Sequence, residues 1–166
     1  MQNEKIVCVS GGFDPVHIGH LRMIQEASQH GRVVVIVNSD KWLMRKKGYI
    51  FMPFQERCEI LKGFEATGDV TYVDDADGTV CEALRRIKPD YFANGGDRKN
   101  NNTPEMDVCE ELGIDLLWNA GGGKIQSSST LVNDAGMLAE FSGEGDLKPS
   151  RVEIVVGDEI IKLGNY

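Results

Sequence analysis

The sequence predicts an α/β fold: a doubly wound parallel sheet of five strands with helices on both faces, followed by a C-terminal β-hairpin extension. Three observations carry this. Short β-branched runs alternate with helix-period segments through most of the chain. The links between them are short and rich in Gly, Asn, Asp and Pro. Val33-Val34-Val35-Ile36-Val37 is apolar at every position, as a central strand covered on both faces must be.

Lys5-Ile6-Val7-Cys8-Val9-Ser10 reads as the first strand, broken by Gly11-Gly12-Phe13-Asp14-Pro15. From His17 to His30, Leu21, Ile24 and Ala27 recur at helical spacing, and Gly31 is the stop. Arg32 to Asn38 is strand two, and Ser39 to Tyr49 reads as a charged surface loop. Pro53 suits the first turn of a helix whose Cys58, Leu61 and Phe64 share a face. Val70 to Val73 is strand three, and the acidic stretch Asp74-Asp75-Ala76-Asp77 reads as a solvated loop. Val80 to Ile87 is helical and ends before Pro89. Tyr91-Phe92-Ala93 is strand four, Pro104 to Leu112 an acidic helix closed by Gly113, and Ile114 to Trp118 strand five. A glycine loop, Gly121 to Gly123, precedes a helix beginning at Ser127. Val152 to Val156 and Glu159 to Leu163, joined by Gly157-Asp158, read as a hairpin. The expected division is a domain over residues 1–134 and an extension over 135–166.

Composition narrows the function. The 166 residues carry 26 acidic and 18 Lys+Arg side chains, a net charge of -8. That argues against long nucleic acids as partners. No apolar run reaches membrane-span length, and the N-terminus lacks the apolar core of a signal peptide. Cys8, Cys58, Cys81 and Cys109 show no C-x-x-C spacing and read as free thiols in a reducing compartment, so a cytoplasmic location is expected.

Ligands in such sheets bind beyond the carboxyl ends of the strands. That rule selects Gly11 to His20, Ser39 to Tyr49, Asn94 to Lys99 and Gly121 to Thr130. In the first, a glycine turn leads from a strand into a helix, which makes an anion site of exposed N–H groups and a positive helix end. His17 and His20 lie three apart on that helix start, and Gly19 between them allows close approach. Two imidazoles there can donate hydrogen bonds to a phosphate as charge builds in a transition state. The plainer alternative is a surface histidine pair. Trp42, Phe51 and Phe54 flank the basic stretch Arg45-Lys46-Lys47, either to stack on a substrate or to pack the segment. Ser127 to Thr130 offers hydroxyls and N–H groups at a second helix start, where a plain N-cap would need only one of them.

Gly11-Gly12-Phe13-Asp14-Pro15-Val16-His17-Ile18-Gly19-His20 resembles the signature of the nucleotidyltransferase superfamily, H-x-G-H after a G-x-F-D turn. The chain is most similar to the small cytidylyltransferase-like group, which includes glycerol-3-phosphate cytidylyltransferase and the adenylyltransferase domain that forms ADP-heptose. The likeness runs in consistent order over roughly residues 5 to 132 and implies a Rossmann-like sheet. It implies that His17 and His20 stabilise the transition state, with Lys47 (Lys46 second) and Arg57 on the phosphates. Gly11, Gly12, Phe13, Asp14 and Gly19 would meet the nucleotide. So would Asn94-Gly95-Gly96-Asp97, near the base and ribose, and Ser128-Ser129-Thr130 on the triphosphate. Asp14, Asn38, Arg98 and Lys124 fall to the acceptor. Gly95-Gly96-Asp97 matches the adenylyl side of the group. The arginine that cytidylyl members often carry upstream of the Ser-Ser-Thr stretch is absent, Gly123-Lys124 standing there.

The expected reaction is therefore nucleotidyl transfer from a nucleoside triphosphate, ATP favoured, to a sugar phosphate or similar phosphorylated small molecule, with release of pyrophosphate and with Mg²⁺ as cofactor. A CTP-dependent transfer to a polyol phosphate is the alternative, and a non-catalytic nucleotide-binding module the second. The family resemblance also implies a homodimer. Residues 1–132 hold 19 acidic and 15 basic side chains and residues 133–166 hold 7 and 3, so each part is net -4. Arg45, Lys46, Lys47, Arg57, Arg98 and Lys124 all fall in or beside the ligand segments, which describes an acidic exterior around a basic pocket.

Overall fold

The computed structural model describes residues 3–94, 103–141, 153–156 and 159–162. Its elements are β1 (Ile6–Gly11), α1 (Ile18–Ala27), β2 (Arg32–Val37), α2 (Asp40–Lys47), α3 (Phe54–Lys62), β3 (Thr67–Tyr72) and α4 (Cys81–Ile87). There follow β4 (Tyr91–Asn94), α5 (Pro104–Leu112), β5 (Asp115–Trp118), α6 (Ser128–Phe141), β6 (Glu153–Val156) and β7 (Glu159–Lys162).

Strand side chains alternate between faces, so a strand that is apolar throughout needs cover on both. β2 meets this condition. Val33, Val35 and Val37 enter one core with Val7 and Val9 of β1, Met23, Ile24 and Ala27 of α1, and Leu61 of α3. Val34 and Ile36 enter the other with Cys8, Phe92, Ala83 and Leu84 of α4, and Val108 and Cys109 of α5. Helices thus cover both faces. The five strands lie in the order β3-β2-β1-β4-β5, and every pairing is parallel. This is the doubly wound Rossmann-like sheet that the sequence predicts.

Register places the site. Gly11 of β1 pairs with Val37 of β2, and Asn94 of β4 with Trp118 of β5. The carboxyl ends of these four strands therefore come level at one edge, where chain order reverses between β1 and β4.

The structure corrects one element. Residues 40–47 form α2 rather than a surface loop. Ser39 caps its start, its Oγ accepting the Trp42 N–H, and Gly48 closes it at φ 80, a left-handed conformation that suits glycine. Pro53 stands at the N-cap of α3, one position ahead of the first turn. The chain divides into one unit over Met1–Val132 and another over Asn133–Tyr166. In the second, β6 and β7 pair antiparallel, Glu153 opposite Lys162 and Ile154 opposite Ile161. No described helix is long and apolar enough to cross a membrane.

Candidate active site

An α-helix begins with N–H groups that lack intrahelical partners. At α1 two histidines supply them. His17 is the N-cap, and its Nδ1 accepts the Gly19 N–H at 3.0 Å. His20, at the third helical position, reaches back, and its Nδ1 accepts the His17 N–H at 3.2 Å. This is a capping box built from imidazoles. The rings stack with centroids 3.8 Å apart, and Phe13 meets His20 edge-on at 4.8 Å. Gly19 makes room for this, since a Cβ there would lie 2.9 Å from His17 Cε1.

The two hydrogen bonds also fix protonation. A ring whose Nδ1 accepts a bond from N–H carries its neutral proton on Nε2. Both histidines are held below the ordinary range. Burial pushes His20 down to about 3, with His17 and Lys47 adding to the shift. Burial lowers His17 as well, followed by the charges of Lys47 and Lys124. At neutral pH each ring is an uncharged Nε2–H donor.

Both rings line a cleft of about 880 Å³, large enough for a nucleotide. Gly12, Phe13, Gly19, Met23, Trp42 and Lys47 complete one wall, and Trp118 to Ser129, including Lys124, make the other. Lys47 ends α2, and burial lowers its pKa against the opposing pull of Asp14. On the far wall Ser127 is the N-cap of α6, its Oγ accepting the Thr130 N–H at 3.2 Å. Ser128 and Ser129 both line the cleft, and the Ser128 hydroxyl donates to the Pro15 carbonyl at 2.7 Å. The N–H groups of Ser128 and Ser129 precede the first intrahelical bond, so this helix start adds an anion-binding edge.

The glycine loop of the far wall is anchored to α1. Glu26 accepts the Gly121 N–H. At Gly121, φ is 85 and a Cβ would lie 2.8 Å from the Met23 nitrogen, so only glycine fits.

Several residues expected at the ligand lie elsewhere. Arg57 is fully buried and is absent from the cleft wall. Its Nε donates to the Met52 carbonyl at 2.9 Å, and Nη1 donates to the Gly12 and Asn38 carbonyls at 2.6 and 2.8 Å. Nη2 pairs with Asp40 at 2.7 Å. Four of its five N–H donors hold backbone and α2 in place. Asp14 is likewise fully buried, its carboxylate accepting the Phe51 and Met52 N–H groups. Asn38 is buried and donates to Asp75. Lys46 is not among the lining residues, but its Nζ lies over the ring of Trp42, which is, at 4.9 Å. Gly11 ends β1, where a Cβ would press the Phe13 ring at 3.3 Å. The Asn94 carbonyl accepts the Ala120 N–H at 3.3 Å, tying β4 to the loop after β5. Gly95, Gly96, Asp97 and Arg98 lie outside the described residues.

Sequence reasoning passed over Met23, Trp118, Asn119 and Ala120. The signal was present for three of them, because Trp118 ends β5 and Asn119 and Ala120 follow it. It also misjudged Asp75, which is 4% exposed and not solvated.

The cytidylyltransferase-like family model matches residues 8–120. The bifunctional protein HldE of Hahella chejuensis is 35% identical over 113 residues, covering 66% of this chain and 23% of that protein. HldE of Pseudomonas fluorescens is 32% identical over 136 residues, covering 77% of this chain and 27% of that protein. The chain thus spans about a quarter of the length of these curated relatives. Among solved structures, a lipopolysaccharide core biosynthesis protein from Thermoplasma volcanium superposes with a TM-score of 0.58 at 23% identity, covering 70% of this chain and 94% of that one. That likeness is one of fold. A family match across β1 to the loop after β5, with its paired histidines at the first turn, settles the assignment: the chain belongs to the cytidylyltransferase-like family of nucleotidyltransferases.

Proposed function

We propose that the chain transfers a nucleoside monophosphate from ATP, in preference to CTP, to a sugar phosphate or similar phosphorylated small molecule. The observation that carries this is the reciprocal cap of His17 and His20, which sets two neutral Nε2–H donors in a cleft beside Lys47, Lys124 and the start of α6. An acceptor phosphate oxygen attacks the α-phosphorus, the bond from that phosphorus to the β-bridging oxygen breaks, and pyrophosphate leaves. The attacking oxygen is already anionic, so no general base is needed. His17 and His20 donate to the α-phosphate oxygens as their charge grows, which is positioning and electrostatic stabilisation rather than proton removal. Lys47 and Lys124 balance the phosphate charge, and Ser129 with the α6 N–H groups takes the β and γ oxygens.

The donor set of the cleft does not suit a resident metal. Its described wall carries no carboxylate, and no cluster of three or more His, Cys, Asp or Glu occurs among the described residues. Mg²⁺ is therefore assigned to the substrate, carried on phosphate oxygens and water. The preference for ATP rests on Gly95-Gly96-Asp97 and on Gly123-Lys124 in place of an arginine. A pyrophosphate-release screen of ATP and CTP against sugar and polyol phosphates tests the proposal. Release should need both triphosphate and acceptor. Equal triphosphate hydrolysis without acceptor, or binding without release, defeats it.

A further inference from the structure

We propose that Asp75, from the loop between β3 and α4, is a positioning residue that holds α2 so that Lys47 and Trp42 stand in the cleft wall. This rests on the role given to Lys47 in the proposed transfer. No residue from 74 to 79 lines the cleft, yet this loop grips α2 at three points. The Asp75 carboxylate accepts the Ser39 N–H at 2.8 Å, the Ser39 hydroxyl at 2.6 Å and the Asn38 side-chain amide at 3.2 Å. Ser39 is the N-cap of α2, so a carboxylate from another strand end orients the very hydroxyl that caps the helix. The Asp75 carbonyl accepts Arg45 Nη2 at 2.6 Å, and the Gly78 carbonyl accepts Trp42 Nε1 at 3.1 Å.

The need for an outside grip follows from α2 itself. It has eight residues, and Leu43 is its one buried side chain. Isolated helices of that length are unstable in water, and a single apolar contact gives little purchase. Its position is therefore set by polar bonds at its start, its middle and its Arg45 turn, with Arg57 holding Asp40 from below. Lys47 lies two turns beyond the cap, where a small tilt of the axis moves its ammonium furthest. Burial lowers the Lys47 pKa, so its ammonium stands partly withdrawn from solvent.

The test is a double-mutant cycle of Asp75→Asn and Lys47→Ala, read by calorimetric titration with ATP and by pyrophosphate release. Asp75→Asn keeps the shape of the side chain but turns one acceptor into a donor. Each single variant should weaken ATP binding about tenfold, and the double variant should be no weaker than Lys47→Ala alone. In the absence of any ligand, the Lys47 pKa, followed by NMR of the methylated lysines, should rise toward 10.5 in Asp75→Asn. Should Asp75→Asn fold poorly, Ser39→Ala removes the same cap from its other side and should give the same non-additive pattern. Full additivity, unchanged ATP affinity or an unmoved Lys47 pKa overturns the positioning role, whereas lack of pyrophosphate release alongside non-additive binding overturns only the transfer reading.

Discussion

His17 Nδ1 accepts the Gly19 N–H while His20 Nδ1 accepts the His17 N–H, so each ring spends its inner nitrogen on the helix and keeps its outer one for the cleft. Structure and chemistry can then be separated by substitution. His17→Asn retains a good N-cap but has no Nε2–H; stability should change little while turnover falls about 10²- to 10³-fold. His17→Ala should lose a similar amount of turnover and, in addition, about 1 kcal/mol of stability. Urea unfolding alongside pyrophosphate release checks both.

His20 gives a pH signature. Its folded pKa of about 3 lies below the ordinary 6.5, so between those values the unfolded chain binds the extra proton. Stability should therefore be full above pH 6.5 and fall as pH drops toward 3. Glutamine at the same position can reach back to the cap N–H without titrating. The urea midpoint of His20→Gln should depend on pH less steeply than that of the wild type across this window.

Arg57 should behave as a tie between segments. Arg57→Ala leaves three carbonyls and Asp40 without their donor and should cost about 3 kcal/mol or more. Arg57→Lys should recover little of it, because an ammonium cannot reproduce the guanidinium fork. An intact melting temperature with weakened triphosphate binding alone would count against this placement.

Gly19→Ala sets a Cβ against the His17 ring at 2.9 Å. Alanine is otherwise the better helix former by roughly 0.5–1 kcal/mol. The expected outcome is a protein that melts near the wild-type temperature yet turns over at least tenfold more slowly, as the ring is pushed off its cap.

The sheet was legible because β1 and β2 are apolar, largely β-branched runs, and the two cores follow from the alternation of their side chains between faces. α2 was not, because Lys41 to Lys47 has no repeating apolar stripe: Leu43 is its one buried side chain, and Met44 beside it is exposed. Its caps, Ser39 and Gly48, were the readable signal. The histidines were legible through spacing on a strand–turn–helix. The places of Arg57, Asp14 and Asp75 were not, because whether a charged side chain meets ligand or backbone depends on what other segments bring to it. The Asp75 carboxylate takes its hydrogen-bond donors from residues 36 and 37 positions away.

Trp42 and Trp118 are the only two tryptophans in the chain, and both stand in the cleft wall, one on α2 and one at the end of β5. All indole emission of the protein therefore originates at the site itself. Any occupant should alter that fluorescence directly, and the pair Trp42→Phe and Trp118→Phe would report which wall it touches, without label, coupled assay or knowledge of the acceptor.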